Sequence, residues 1–281
     1  MPTYQDILRS AEKLARSHHL EASAIKLLML HFANIAPTEL YLSMDKVMPD
    51  ASHQSFDKAV NDYVFQQIPV QYLIGYVYFY GYRFLVDDRV LIPRFETEEL
   101  VANVLVQYDE LFNGNAVKLV DVGTGSGCLA ISLKKEEERF EVFATDISHE
   151  ALEVAKMNAF NNQATVTFIQ GDMLKPLEGM KFDILVSNPP YIPSAETVDE
   201  IIIKNEPNVA LFGGDDGLKF YQIILSEAKT ILNLRSIIAF EHGFDKAEQI
   251  RTIAKTYFPL ANIFTLKDMQ NKDRMTFVIN Q

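Results

Sequence analysis

Apolar residues in the first quarter of the chain recur every three or four positions. Ile7, Leu8, Ala11, Leu14 and Ala15 fall on one side of a helix over residues 3–17. The same spacing predicts a second helix through residues 21–34 (EASAIKLLMLHFAN), a short one after Pro37 and a fourth over 53–67, with Pro37 and Pro69 as start and stop signals. This is the pattern of a small all-helical domain with its Met and Leu stripe as the core. Over residues 72–93 the rhythm changes. The stretch YLIGYVYFYGYRFLVDDRVLIP is dominated by aromatic and β-branched residues, interrupted by Gly75 and Gly81, with a turn signal at Asp87-Asp88, and reads as a linking β-hairpin.

After Pro93, strand patterns alternate with amphipathic helical ones. AVKLVDVG, FEVFATDI, TVTFIQGD, FDILVSN, SIIAFEHG, ANIFTL and RMTFVIN are the strand candidates. Alternation of this kind implies a parallel sheet covered on both faces. The last two strands are joined only by KDMQNKD, too short for a crossover helix, so they pair antiparallel. The predicted fold class is therefore α/β, a mostly parallel seven-stranded sheet with an antiparallel last strand, carrying a small helical N-terminal domain. The boundaries expected are 1–72 for the helical domain, 73–93 for the hairpin and 94–281 for the α/β domain.

Charge narrows the range of partners. Asp and Glu number 38 against 26 Lys and Arg, giving a formal charge of −12. Such a surface repels phosphate backbones unless a basic patch overrides it, and the sequence shows none, which argues against direct nucleic-acid binding. Cys128 is the only cysteine, so no intramolecular disulfide forms and the cytoplasm is the default compartment. The N-terminus lacks the basic-then-apolar order of a signal peptide, no segment approaches a membrane-spanning length, and the six histidines show no metal-ligand spacing. Neither a membrane nor a metal is expected.

Two stretches carry candidate chemistry. In DVGTGSGCLAISL, residues 121–133, glycines 123, 125 and 127 follow the first sheet strand and open a helix. Missing β-carbons allow a ligand close to the backbone, and the helix start offers unpaired N–H groups. The loop alone fits either a dinucleotide or S-adenosylmethionine. Asp146, ending the second strand, stands where a carboxylate accepts from ribose hydroxyls. Asp172, ending the third, could accept from an adenine amine, with Met173 against the ring.

The second stretch is FDILVSNPPYIP, residues 182–193. Asn188 ends the fourth strand at the carboxyl edge of the sheet, where open α/β sheets bind ligands. Pro189 forces Asn188 into an extended conformation, and Pro189 and Pro190 fix their own φ angles, so the loop is stiff. An asparagine oxygen and a proline carbonyl can together accept both hydrogens of a planar NH2 group, while Tyr191 stacks on its plane. With a sulfonium methyl presented by the glycine-rich loop, this geometry suits methyl transfer to an amide-like nitrogen. No carboxylate or histidine is needed as a base in that reading, and none is offered beside the loop.

The order of these pieces resembles the release factor glutamine methyltransferases, the HemK or PrmC family. The resemblance extends from the helical N-terminus through DVGTGSG, ATDISHEALEVAKMNA, FDILVSNPPYIP and NEPNVALFGGDDGL to DRMTFVIN. It implies a class I methyltransferase fold and transfer of a methyl group from S-adenosyl-L-methionine to the side-chain amide of the glutamine in the Gly-Gly-Gln loop of class 1 peptide chain release factors. By resemblance, Gly123, Thr124, Gly125, Ser126, Gly127, Asp146, Asp172, Met173 and Asn188 hold the cofactor. Asn188, Pro189, Pro190 and Tyr191 hold the substrate glutamine, with Asn188, Pro189 and Tyr191 as the catalytic set, and the helical domain helps dock the release factor. Phe95 stands where the family usually has proline, and Lys246 where glutamine is common, which leaves Arg94, Thr97 and the Glu241 region without assigned roles. EPNVALFGGDDGL, which follows a long connection after the active loop, reads as a lid. The alternative activity is methylation of an exocyclic amine in DNA or RNA.

Overall fold

A capping box starts the first helix. In the computed structural model, which describes residues 2–281, the Asp6 amide donates to Thr3 Oγ1 at 3.2 Å and the Thr3 amide donates to the Asp6 carboxylate at 3.0 Å. The helices α1 (Tyr4–Ser17), α2 (Ala22–Ala33), α3 (Pro37–Leu42), α4 (Asp50–Phe65) and α5 (Val70–Ile74) follow. Ile25, Leu28, Met29 and Phe56 are fully buried among them. α5 runs into the start of the stretch whose aromatics read as strand. It ends at Gly75, whose φ of 82° is the left-handed conformation that glycine adopts at no steric cost. These helices form one compact unit, the chain up to Tyr76 together with Asp199–Asn205. The latter segment includes a short helix, Glu200–Asn205, tied to the chain after α4: Lys204 Nζ donates to the Gln66 carbonyl at 2.8 Å and Asn205 Nδ2 to that of Gln67 at 2.9 Å.

The second unit comprises Val77–Val198 and Glu206–Gln281. The hairpin pairs β1 (Tyr76–Phe79) with β2 (Tyr82–Leu85). Its tight turn is Tyr80-Gly81, with φ of 49° and 79°; the Asp87-Asp88 turn comes after the second strand. Phe79 and Phe84 are buried in one core with Leu100 and Val104 of α6 (Phe95–Phe112). Next come β3 (Val117–Val122), α7 (Cys128–Glu136), β4 (Phe140–Asp146), α8 (His149–Asn161), β5 (Val166–Gln170) and β6 (Phe182–Ser187). The helix Glu200–Asn205 is α9 in chain order, and it is followed by α10 (Lys219–Ile231), β7 (Leu232–Glu241), α11 (Ala247–Tyr257), β8 (Asn262–Lys267) and β9 (Asp273–Asn280).

All seven predicted sheet strands are present, in the order β5-β4-β3-β6-β7-β9-β8. β9 is antiparallel to both neighbours, with Ala239 opposite Phe277 on one side and Phe264 opposite it on the other. Successive residues of the central strands enter opposite cores, Ile184 and Val186 with α6 and α7, Leu185 with α10 and α11. Burial on both faces is why these strands read as continuous apolar runs.

Candidate active site

The sheet reverses direction of progression between β3 and β6, and the glycine-rich turn and the Asn188 loop both leave the carboxyl edge there. Between them opens a cavity with about 960 Å³ of empty volume, part of it open to solvent. Gly123, Thr124, Gly125, Ser126, Asp146, Asp172, Met173, Asn188 and Pro190 all line it. Three other residues singled out in the sequence do not. Gly127, at φ 82°, is where α7 meets α8, since a β-carbon there would stand 2.9 Å from Ile131 and 3.2 Å from Ala155. Pro189 is buried behind Asn188. Tyr191 is half-buried against the core beneath α10, and burial pushes its phenol up to about 12.

The turn is held by its neighbour strand. The Gly123 and Thr124 amides both donate to the Thr145 carbonyl at 2.9 Å. Asp146 accepts from the Gly125 amide at 2.8 Å and the Ser148 amide at 2.9 Å, one on each carboxylate oxygen. Each oxygen keeps a lone pair for a ligand hydroxyl. Burial raises this carboxyl above its ordinary range, and those amides oppose the shift. A β-carbon on Gly123 or Gly125 would meet no protein atom within 4 Å, so the space beside both backbones is open. With Ile147 and Met173 as apolar surfaces and Asp146 as acceptor, the cavity fits a nucleoside carrying a charged, amino-acid-like arm. Asp172 lies at its edge and bonds Lys175 Nζ at 2.5 Å. Cys128 is buried, and burial pushes its thiol up to about 12, so it remains a neutral packing group.

Asn188 has neighbours that the sequence did not reveal. Parallel pairing sets Ser187 opposite Phe240, so the next residues, Asn188 and Glu241, lie side by side at the sheet edge. Asn188 Nδ2 donates to Thr97 Oγ1 at 3.2 Å. Glu241 is 1% exposed, and its Oε2 has no hydrogen-bond partner among the described residues. Burial pushes its carboxyl up to about 7, while hydrogen bonding from the Thr97 and Asn188 side chains pulls the other way. The reading that no carboxylate accompanies this loop is therefore corrected: strand register brings one in from β7. The only sequence cue was an acidic residue ending a strand.

Arg94 and Thr97 do not cap α6 through their side chains. Arg94 Nη2 donates to Glu206 Oε1 at 2.6 Å, and the buried Glu206 also accepts from the Ile92 amide at 3.2 Å. That pair anchors the stretch read as a lid, whose Val209 and Ala210 face the cavity. The stretch is braced rather than loose. The Ile192 amide donates to the Leu211 carbonyl at 3.0 Å, the Gly213 amide to that of Ile192 at 2.8 Å, and the Ser194 amide to that of Gly214 at 2.9 Å.

Residues 6–75 match the PrmC N-terminal domain and residues 99–210 the methyltransferase small domain. The release factor glutamine methyltransferase of Bacillus cereus is 37% identical over 276 residues, covering 97% of both chains. The chain belongs to the release factor glutamine methyltransferase family. Its relative of that name in Bacillus subtilis is 38% identical over 98% of this chain and 96% of the other. Among solved structures, a methyltransferase from Pyrococcus furiosus aligns with a TM-score of 0.53 at 18% identity, covering 80% of this chain and 94% of that one. At that identity the likeness speaks for the fold, the class I methyltransferase sheet. Family membership makes the protein a methyltransferase. Among the described residues no helix is long and apolar enough to cross a membrane.

Proposed function

We propose that the protein transfers a methyl group from S-adenosyl-L-methionine to the side-chain amide nitrogen of the glutamine in the Gly-Gly-Gln motif of class 1 peptide chain release factors. The observation that carries this reading is Asn188 beside the glycine-lined cavity with its amide nitrogen tied back to Thr97. An amide whose NH2 is engaged on one side offers its oxygen on the other.

S-adenosyl-L-methionine supplies, when bound, an electrophilic methyl group. Gly123, Thr124, Gly125 and Ser126 would hold its amino-acid arm, Asp146 its ribose hydroxyls, and Asp172 and Met173 its adenine. Asn188 Oδ1 and the Pro189 carbonyl accept the two hydrogens of the substrate carboxamide and aim its nitrogen at the cavity. Pro190 and the half-buried Tyr191 keep that edge rigid, with the Tyr191 ring against the plane of the carboxamide. The amide lone pair is delocalised, so orientation contributes more than a base: as the N–C bond forms and the sulfonium–methyl bond breaks to leave a thioether, the nitrogen becomes acidic and gives its proton to water. The helices of residues 1–72 dock the release factor, residues 73–93 form the linking hairpin, and residues 94–281 perform the chemistry in the cytoplasm.

The assay pairs labelled S-adenosylmethionine with a bacterial class 1 release factor, with double-stranded DNA and with RNA. Label is expected in the release factor alone and is lost when its motif glutamine is replaced by alanine. Label in nucleic acid, with binding that weakens steeply with salt, would favour the exocyclic-amine alternative. In thermal unfolding, S-adenosylmethionine at a hundredfold excess over its Kd is expected to stabilise the protein by about 2.7 kcal/mol, and NAD at the same concentration not at all.

A further inference from the structure

Glu241 is a buried carboxylic acid that the scheme above does not use. It stands next to Asn188 across the β6–β7 pairing. Thr97 Oγ1 accepts from Asn188 Nδ2, so the hydroxyl hydrogen of Thr97 is free to be donated onward. The carboxyl that can take it is that of Glu241, whose ionised form the Thr97 and Asn188 side chains favour. Nothing in this arrangement stabilises the sheet edge as an apolar pair would, and one Glu241 oxygen is left buried without a donor. Such a group costs stability, which points to a role other than packing.

Resting on the reading of Asn188 as the substrate's amide acceptor, we propose that Glu241 is a positioning residue that acts through Thr97 to fix which way the Asn188 amide faces. With Glu241 ionised, Thr97 must donate to it and must therefore accept from Asn188, which turns the Asn188 oxygen to the substrate. The same chain of hydrogen bonds polarises that oxygen and strengthens it as an acceptor. When Glu241 takes up a proton it becomes a donor to Thr97. The Thr97 hydroxyl is then released to donate to the Asn188 oxygen, the amide is free to turn over, and an NH2 group faces the substrate's NH2.

Other charged and titratable groups face Glu241. They are Arg274 on β9, Glu96 on α6, Tyr191 in the active loop, Tyr221 on α10 and Cys128 on α7. Arg274 favours the ionised form and Glu96 opposes it. Tyr191, Tyr221 and Cys128 are all shifted upward and stay neutral where Glu241 titrates.

The test is Glu241→Gln, which keeps shape and removes the charge, read by side-chain 15N NMR of the protein without ligand and by kinetics. In the wild type the Asn188 NH2 signal, assigned by its loss in Asn188→Ala, is expected to move with pH near neutrality, and kcat to rise over the same interval. In Glu241→Gln both changes are expected to vanish, kcat to fall about tenfold at pH 8, within the range for one hydrogen-bonding group, and protection by S-adenosylmethionine to persist. Thr97→Val, which cuts the link while leaving Glu241 in place, is expected to show the same loss of kcat. The double variant is expected to be no worse than either single one, as two members of one chain require. An Asn188 signal indifferent to Glu241→Gln, or an unchanged kcat, overturns the proposal. A wild-type protein that methylates no glutamine, yet keeps the coupled NMR titration, strikes the proposed function and leaves the positioning of Asn188 by Glu241 standing.

Discussion

Replacing Asn188 by alanine is expected to slow methyl transfer to glutamine by roughly a hundredfold or more, as removal of one preorganised hydrogen-bonding group does elsewhere. The change removes the side-chain oxygen from the cavity wall and takes from Thr97 the donor that Asn188 supplies. Thermal protection by S-adenosylmethionine is expected to survive nearly intact, because the glycine turn and Asp146 are held by backbone bonds to Thr145, Gly125 and Ser148 that do not involve Asn188. Single-turnover rates beside cofactor titrations separate the two effects. Equal rates in mutant and wild type would remove Asn188 from the mechanism.

A comparable loss is expected from a residue that need touch neither ligand. Gly217 sits at φ 76°, and a β-carbon there would lie 2.2 Å from the Tyr191 carbonyl oxygen. Gly213 makes a similar approach, its β-carbon position being 2.5 Å from the Pro190 carbonyl oxygen. These two glycines let the 211–217 stretch lie flat on the backbone of the active loop. Gly217→Ala must push Tyr191 away, since a backbone carbonyl has no rotamer by which to yield. A displacement of about 1 Å at a site that works by orientation costs on the order of a hundredfold in rate. Left-handed strain adds about 1–2 kcal/mol of lost stability before the clash is counted. Gly179→Ala is the control: its φ is 80°, yet its β-carbon would meet no atom within 4 Å. It is expected to lose stability of the same small order and keep full activity. A Gly217→Ala protein as active as the Gly179→Ala protein would show that the brace does not set the position of Tyr191.

The contrast between these two positions indicates what the sequence carries. The central strands were legible because they are buried on both faces and so appear as apolar runs, as before Gly123, Asp146 and Asn188, whereas the edge strand before Asp172 is nowhere fully buried. Those end residues were legible as a site because strand ends on one sheet edge converge whatever the details of packing. α5 was missed, since Tyr72, Leu73 and Ile74 merge with an aromatic run and only tertiary contacts make them helical. The length of α9 was hidden likewise inside a connection that reads as open loop. Glu206 gave no sign of its partner Arg94, 112 residues away. Glu241 became meaningful only through the register that places it beside Asn188. Glycines 213 and 217 fall within the stretch that reads as a lid, and nothing in the sequence shows that the structure uses them for close approach to the active loop. Local pattern identifies elements and their ends; the pairing of side chains across elements is fixed by packing.

The central claim is that Asn188 and Pro189 grip the two hydrogens of a carboxamide. A crystal structure of the protein with S-adenosylhomocysteine and a Gly-Gly-Gln peptide tests it most directly. Asn188 Oδ1 and the Pro189 carbonyl oxygen are expected to lie each about 3 Å from the glutamine amide nitrogen, with Asn188 Nδ2 still on Thr97. A glutamine amide held by other groups, with the Asn188 oxygen turned toward Thr97, would contradict the account.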